Sequence, residues 1–130
     1  MPARVLVVDD EPDVCWAIEI ALREAGHDVV TTGSGSEALS LLVEGDFEVA
    51  LVDAKLGDMD GFHLAREAAR KRVGTALVLV SAYYYIDDKQ VQQALEDGLL
   101  SGFIAKPFSL DEMRRVLADL LADRRPRGGG

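Results

Sequence analysis

The sequence predicts an α/β fold in which five βα units build a doubly wound, five-stranded parallel sheet. Three short runs of apolar residues, rich in valine and leucine, lie far apart in the chain. Such runs are typical of strands that are buried on both faces. Between the runs, apolar residues recur at the spacing of amphipathic helices. This alternation indicates a parallel sheet with right-handed crossovers and helices on both faces.

Five strands are predicted from the apolar patterns. Three of them follow from the continuous runs Arg4–Val8, Val49–Val52 and Leu77–Val80. Two further strands, Asp28–Thr31 and Gly102–Ala105, are predicted from shorter patterns that also alternate with helical segments.

The helix boundaries are predicted from caps and stop residues. The first helix has Pro12 near its start and Gly26 as its stop. Its apolar residues recur with the helical period: Val14, Ala17, Ile18, Ala21, Leu22 and Ala25. The S-x-x-E patterns at Ser34–Glu37 and Ser109–Glu112 predict capping boxes that start the second and fifth helices.

The remaining helices are predicted from periodicity. The third runs from about residue 62 to 71, and the fourth from about residue 89 to 97, where Gly98 stops it. The acids Glu11 and Asp87 are interpreted as helix caps. The fifth helix carries an apolar stripe: Leu110, Met113, Leu117, Leu120 and Leu121.

The composition predicts one domain without a membrane or nucleic-acid surface. The chain has 130 residues, of which 48% are hydrophobic and 28% charged. A net charge of −9 argues against nonspecific binding to nucleic acid or to an anionic membrane. No apolar run approaches the roughly 18 residues that a membrane span needs. We expect a folded domain over residues 1–123 and a flexible tail or linker over 124–130.

The cysteine content predicts a reducing compartment. Cys15 is the single cysteine, so the chain cannot form an internal disulfide. The first apolar run is short and ends in acids, which is unlike a signal peptide. Together these features predict a cytoplasmic location.

Charged and polar residues follow the predicted strands. Asp9 and Asp10 follow the first strand, Asp53 the third and Ser81 the fourth, while Lys106 follows the fifth. Each one alone would be read as a cap, a turn residue or a surface lysine. In open parallel sheets, however, ligands bind at the carboxyl ends of the strands. The shared placement therefore predicts one functional rim.

The residue types at this rim favour a divalent cation and a phosphoryl group. Three close carboxylates repel one another unless a cation lies between them. Oxygen ligands and waters suit magnesium, and neither His27 nor His63 lies near the rim to suggest zinc. Lys106 and Ser81 could hold phosphoryl oxygens, which would supply the electrostatic stabilisation that phosphoryl transfer needs.

From Arg4 to about Ala122, the chain resembles the receiver domains of two-component response regulators. The motifs that carry the resemblance are Asp9-Asp10, Asp53 in VALVDAKLGDMDGF, Ser81-Ala82 after LVLV, and Lys106-Pro107-Phe108. The resemblance implies a flavodoxin-like fold with strand order 2-1-3-4-5. It also implies a bacterial signalling module that is no enzyme, except in its own phosphorylation and dephosphorylation.

The resemblance assigns a role to each rim residue. Asp53 would accept a phosphoryl group from the phosphohistidine of a sensor histidine kinase or phosphotransfer protein. Asp9, Asp10, Asp53 and the backbone carbonyl of Lys55 would bind Mg²⁺, with Mn²⁺ as a substitute. Lys106 would pair with the phosphoryl oxygens.

The resemblance further implies a conformational switch. Ser81 would move toward the phosphoryl group and Phe103 would swing inward behind it. Ala82 would leave room beside the acceptor, and the bond before Pro107 would be cis. The fourth helix, fifth strand and fifth helix would form the switch face. That face would bind a downstream protein or a second copy of the chain, unless an output domain follows.

The chain departs from the common receiver pattern at three places. Gly57 stands where many receivers have proline, so we expect a more mobile loop after the third strand. The turn Gly98–Gly102 replaces a common Gly-Ala. The cluster Tyr83–Tyr85 is unusual, and we expect Tyr83 and Lys55 to shield the acceptor from water and to slow dephosphorylation.

Two alternatives remain open from the sequence. One is a receiver-like interaction module without phosphoryl turnover. The other is a phosphatase with an aspartyl nucleophile, but such enzymes carry D-x-D-x-T after the first strand, whereas this chain has the residues 9–12 as DDEP.

Overall fold

The computed structural model describes residues 3–124, which form five βα units around one sheet. The strands are β1 Arg4–Val8, β2 Asp28–Thr32, β3 Val49–Asp53, β4 Ala76–Ser81 and β5 Gly102–Ala105. The helices are α1 Pro12–Glu24, α2 Gly35–Glu44, α3 Gly61–Arg70, α4 Lys89–Glu96 and α5 Leu110–Arg124. The strand order is β2-β1-β3-β4-β5 and all pairs are parallel. The predicted fold and strand order are therefore confirmed.

The element boundaries differ slightly from the predicted ones at two positions of the predicted rim. β3 and β4 include Asp53 and Ser81, which the sequence pattern placed just beyond the strands. In the ladder, Asp53 lies opposite Val80. The backbone of these two site residues is thus held by the sheet. α5 includes Arg124, and the rest of the expected tail, residues 125–130, lies outside the described part of the chain.

The sheet separates two hydrophobic layers. Along β1, Leu6 and Val8 face the layer that contains side chains of α2, α3 and α4, whereas Val5 and Val7 face α1 and α5. Apolar residues on both faces explain why the strands read as continuous apolar runs. Each helix buries one side, and within residues 3–124 no helix is long and apolar enough to cross a membrane.

Side-chain caps fix several helix starts. The Ser34 and Ser109 hydroxyls each accept a hydrogen bond from the backbone N–H three residues later, at 3.2 and 3.0 Å, which is the serine half of each predicted capping box. The cap of α4 is Asp88 rather than Asp87, because the helix begins one residue later than that interpretation required. Glu11 occupies the cap position of α1, but its side chain accepts no capping hydrogen bond.

The turn after α3 contains a residue whose replacement should stabilise the protein. Arg72 has a φ of 58°, in the left-handed region that a side chain disfavours by about 1 kcal/mol. Arg72→Gly should raise the free energy of unfolding by roughly 0.5–1 kcal/mol, as measured by urea denaturation. Lys71→Gly is the matched control. Lys71 has a φ of −87°, so glycine there should destabilise the protein.

Candidate functional site

Three carboxylates meet at the carboxyl ends of β1 and β3. Asp9 and Asp53 are only 4% and 7% exposed, whereas Asp10 is exposed. One oxygen from each of these three residues lies within 4.8 Å of the other two. The structure thus brings together the acids that the sequence predicted at this rim.

Lys106 lies between two of these acids. Its Nζ is 3.1 Å from Asp9 Oδ2 and 3.6 Å from Asp53 Oδ1. Burial acts to lower the pKa of Lys106, but the hydrogen bond to Asp9 and the charges of Asp9 and Asp53 outweigh it, so the pKa is raised. The next peptide bond, Lys106–Pro107, is cis, and the Lys106 N–H donates to the Ser81 carbonyl at 2.7 Å. Lys106 is therefore a fixed ammonium group beside the acids.

The Asp53 carboxylate is destabilised by its surroundings. Burial is the main cause of a raised pKa, and repulsion by Asp9 adds to it. The charge of Lys106 and a hydrogen bond from the Lys55 N–H offset part of this rise. Asp53 thus carries a negative charge whose repulsion a bound cation would relieve.

This destabilised charge predicts a pH-dependent stability. Below the ordinary carboxyl pKa of 3.8, Asp53 is protonated in both the folded and the unfolded chain and contributes nothing. As the pH rises above 3.8 toward the higher pKa of the folded state, the unfolded chain releases its proton first, and folding loses stability.

Without divalent cations, Asp53→Asn should therefore unfold at a higher temperature than the parent at about pH 7. This advantage should shrink as the pH falls toward 3.8. Thermal unfolding followed by circular dichroism across this range checks it. A difference in unfolding temperature between Asp53→Asn and the parent that grew as the pH fell would contradict this expectation.

The donor set at the rim fits a hard divalent cation. The three carboxylates of Asp9, Asp10 and Asp53 offer oxygen ligands only, which Mg²⁺ prefers, and neutralising them would remove the repulsion described above. A cleft of about 440 Å³ opens beside them, with room for a phosphoryl group. The residues that line the cleft are Asp10, Glu11, Asp53, Lys55, Leu56, Ala82, Tyr83 and Lys106. The role of the Lys55 carbonyl as a metal ligand stays a prediction.

Ser81 is buried at the end of β4 and holds the following loop. Its hydroxyl accepts hydrogen bonds from the backbone N–H groups of Tyr83 and Tyr84, both at 2.9 Å. For Ser81 to contact a phosphoryl group, at least one of these bonds would have to change. Phe103 is half-buried on β5, where it lies opposite Leu79. The switch roles of Ser81 and Phe103 stay predictions.

The three tyrosines after Ser81 have different surroundings. Tyr84 packs edge-on against Phe62 of α3, with ring centroids 5.2 Å apart. Tyr83 and Tyr85 are 68% and 73% exposed. The Lys55 ammonium lies 5.9 Å from the Tyr83 ring centroid and 5.7 Å from that of Tyr84. Tyr83 and Lys55 therefore lie together at the edge of the cleft beside Asp53.

A close approach of α3 to the Asp53 backbone was not predicted from the sequence. A Cβ on Gly61 would lie 2.7 Å from the Asp53 carbonyl oxygen and 3.1 Å from the Ala54 Cα. The Gly61 N–H also donates to the Ala54 carbonyl at 2.8 Å. No sequence pattern shows this contact, because it arises where two segments eight residues apart come together.

The cap of α3 was also missed, although its signal was present. The Asp60 carboxylate accepts a hydrogen bond from the Phe62 N–H at 2.7 Å and lies 3.4 Å from Lys55 Nζ. An aspartate shortly before a predicted helix is a usual cap signal. Asp60 thereby connects the start of α3 to the loop that follows Asp53.

A family model and curated relatives match this chain. The model of the response regulator receiver domain matches residues 5–118. The transcriptional regulatory protein TcrA of Mycobacterium tuberculosis is 34% identical over 110 residues, which are 85% of this chain and 42% of TcrA. GlrR of Escherichia coli is 30% identical over 125 residues, which are 96% of this chain and 28% of GlrR. The chain thus spans less than half the length of these two relatives.

Solved structures have the same fold. A CheY-like receiver domain protein from Methanospirillum hungatei superposes with a TM-score of 0.85 at 24% identity, covering 95% of this chain and 96% of that one. The response regulator protein TrrA from Thermotoga maritima, solved in complex with Mg²⁺-BeF, has a TM-score of 0.77 at 27% identity. That alignment covers 92% of this chain and 99% of TrrA.

Proposed function

We propose that this chain, which belongs to the response regulator receiver domain family of two-component systems, accepts a phosphoryl group on Asp53 in the presence of Mg²⁺. The observation that carries the proposal is the position of Lys106 between Asp9 and Asp53, with Asp10 beside them. This arrangement provides a carboxylate nucleophile, an ammonium group and spare oxygen ligands at one cleft. The structure of the similar protein TrrA was solved in complex with Mg²⁺-BeF, which supports Mg²⁺ binding at the corresponding site of this chain.

The reaction is a transfer from nitrogen to oxygen. A carboxylate oxygen of Asp53 attacks the phosphorus of a phosphohistidine, so that a P–O bond forms and the P–N bond breaks. The electron pair of the broken bond stays on the imidazole nitrogen, which takes up a proton from solvent. Lys106 balances charge on the phosphoryl oxygens. A Mg²⁺ ion held by Asp9, Asp10, Asp53 and the Lys55 carbonyl would neutralise further negative charge.

Both the phosphoryl donor and the recipient of the signal are proteins in this proposal. The donor is a sensor histidine kinase or a phosphotransfer protein. The longer relatives TcrA and GlrR are named transcriptional regulatory proteins, which supports an output domain or a separate downstream partner. The net charge of −9 disfavours direct contact of this domain with nucleic acid.

The proposed switch acts through the face formed by α4, β5 and α5. A phosphoryl group adds a charge of roughly −1.5 to −2 next to Lys106 and the buried Ser81 hydroxyl. Movement of Ser81 would release the amides of Tyr83 and Tyr84 and so alter the loop that leads into α4. Phe103 on β5 would respond to that change. A downstream partner or a second copy of the chain would bind the altered face.

The proposal is tested by incubating the purified chain with a small phosphodonor and Mg²⁺, followed by intact-mass measurement. A Mg²⁺-dependent adduct of one phosphoryl group, located on Asp53, is expected. Catalytic release of phosphate without an adduct would indicate a phosphatase instead. The absence of both adduct and phosphate release would indicate an interaction module.

The exposed ring of Tyr83 should slow loss of the phosphoryl group. Tyr83 and Lys55 line the cleft beside Asp53, where they would restrict the in-line approach of water. Tyr83→Ala should therefore accelerate dephosphorylation severalfold, as measured by the decay of labelled protein after donor removal. Tyr85→Ala is the control and should have a smaller effect, because Tyr85 does not line this cleft. If labelled Tyr83→Ala lost its phosphoryl group at the parent rate, Tyr83 would not shield Asp53 from water.

A further inference from the structure

The loop between β3 and α3 is attached to the start of α2 by Asp58. Asp58 Oδ1 accepts a hydrogen bond from the Gly35 N–H at 2.8 Å, and Oδ2 accepts one from the Ser36 N–H at 3.0 Å. The Ser34 hydroxyl donates to Oδ2 at 3.3 Å. Both carboxylate oxygens thus bind the first turn of α2, although the residues are more than 20 positions apart in the chain.

The neighbouring residue strengthens this attachment. Met59 packs so closely on Gly35 that a Cβ at this glycine would collide with the Met59 side chain. Met59 also packs against the buried layer below α2 and α3. The loop is therefore fixed to α2 by a polar and an apolar contact at consecutive residues.

The loop itself is closed by short internal contacts. The Leu56 N–H donates to the Met59 carbonyl at 3.1 Å. Lys55 and Asp60 form an isolated antiparallel bridge, and their side chains form an ion pair at 3.4 Å. A displacement at Asp58 would therefore move Lys55, which lies two residues after the acceptor.

The tip of the loop borders the acidic rim. A Cβ placed on Gly57 would lie 4.0 Å from Asp10 Oδ2, an ordinary packing distance. Glycine at this position does not itself restrict the backbone. Contacts at residues 58 and 59 consequently determine where the loop stands relative to Asp10.

The ionised form of Asp58 suits this role. Its pKa is lowered, mainly because the Gly35 N–H and then the Ser36 N–H donate hydrogen bonds to the carboxylate. The start of a helix also favours a negative group. Asp58 therefore stays ionised at neutral pH and keeps both acceptor oxygens available.

We propose that Asp58 is a positioning residue that holds the Lys55–Asp10 side of the metal site in place through the start of α2. This inference rests on the proposed function, because it concerns Mg²⁺ bound by Asp9, Asp10, Asp53 and the Lys55 carbonyl. Asp58 touches neither the acceptor nor the cation in this role. Its effect is on cation affinity rather than on the transfer step.

The test is a titration with Mg²⁺ alone, followed by the fluorescence of Trp16. Trp16 is the single tryptophan and lines a cavity together with Asp9 and Asp10. Asp58→Ala should raise the dissociation constant for Mg²⁺ about tenfold. At saturating Mg²⁺, its labelling rate with a small phosphodonor should stay within about twofold of the parent. General damage to the fold would lower the rate at saturation as well.

Two further variants separate positioning from charge. Asp58→Asn loses the charge but keeps an oxygen for the Gly35 N–H, so its Mg²⁺ affinity should lie between those of the parent and Asp58→Ala. If Asp58→Ala fails to fold by circular dichroism, Asp58→Asn decides on its own, because its Mg²⁺ affinity should fall by more than the roughly twofold change allowed for Glu37→Gln. Glu37→Gln removes an exposed charge that lines the same cavity as Asp9 and Asp10, and its affinity should stay within about twofold of the parent.

Three outcomes would overturn the inference. Parent-like Mg²⁺ affinity of Asp58→Ala would show that the attachment does not matter for the cation. Equal weakening by Asp58→Asn, Asp58→Ala and Glu37→Gln would show an effect of charge alone. A parent that binds no Mg²⁺ and takes no label would overturn the proposed function as well, and this result is distinguishable because it appears without any substitution.

Discussion

Asp53→Asn should abolish labelling by a small phosphodonor while the protein stays folded. The amide has nearly the shape of the carboxylate but is a poor nucleophile, so it does not form a P–O bond with the donor's phosphoryl group. Its oxygen can still accept the hydrogen bond from the Lys55 N–H, which preserves the local backbone. Intact mass after incubation with the donor and Mg²⁺ should show the unmodified protein only.

The matched control for this variant is Asp46→Asn. Asp46 is an exposed acid away from the rim, so its replacement should leave labelling at the parent level. Peptide mapping of the labelled parent should place the modification on Asp53. Labelling of Asp53→Asn at another aspartate, to the same extent as the parent, would refute the assignment of the acceptor.

Lys106→Met should lower the labelling rate by about 100-fold at saturating Mg²⁺, the typical loss when one group that stabilises developing charge is removed. In the parent, the Lys106 ammonium contacts both Asp9 and Asp53. Without it, the two buried carboxylates lose the ammonium group that contacts both of them. The pKa of Asp53 would rise further, and the transferred phosphoryl oxygens would lose a partner.

The loss of labelling rate should be specific to Lys106 and should not follow from the loss of any lysine. Lys71→Met removes an exposed lysine after α3 and should leave the labelling rate unchanged. The measurement is the initial rate of adduct formation at several donor concentrations. A rate for Lys106→Met within a few-fold of the parent would mean that charge from elsewhere stabilises the phosphoryl group.

Much of the fold was predictable because it follows from local patterns. Strands buried on both faces must be apolar throughout, as in Val49–Val52, and their number and alternation with helices determine the fold class. The rim followed from the same reasoning, since side chains after parallel strands share an edge. Asp9, Asp10, Asp53 and Lys106 therefore meet where the sequence placed them.

The features that escaped prediction depend either on contacts between distant segments or on single hydrogen bonds within one loop. The attachment of Asp58 to Gly35 requires the loop after β3 to meet the start of α2, and the sequence pattern of one segment gives no information about the other. The cap of α4 is Asp88 rather than Asp87, and the periodicity of apolar residues does not locate a helix start to within one residue. The hydrogen bonds that the Ser81 hydroxyl accepts from the Tyr83 and Tyr84 N–H groups were not predicted either, and its contact with a phosphoryl group stays a prediction.

Gly61 lies so close to the Asp53 carbonyl that the segment from Asp53 to the start of α3 should be kept together when parts of the domain are exchanged between homologues. Loops are often exchanged between homologous proteins to move a property from one scaffold to another. A graft that ended at residue 60 and placed a larger residue at position 61 would push the first turn of α3 against the Asp53 backbone. Chimeras of this domain should therefore be joined after Gly61, inside α3, so that this glycine stays with the Asp53 backbone that it approaches.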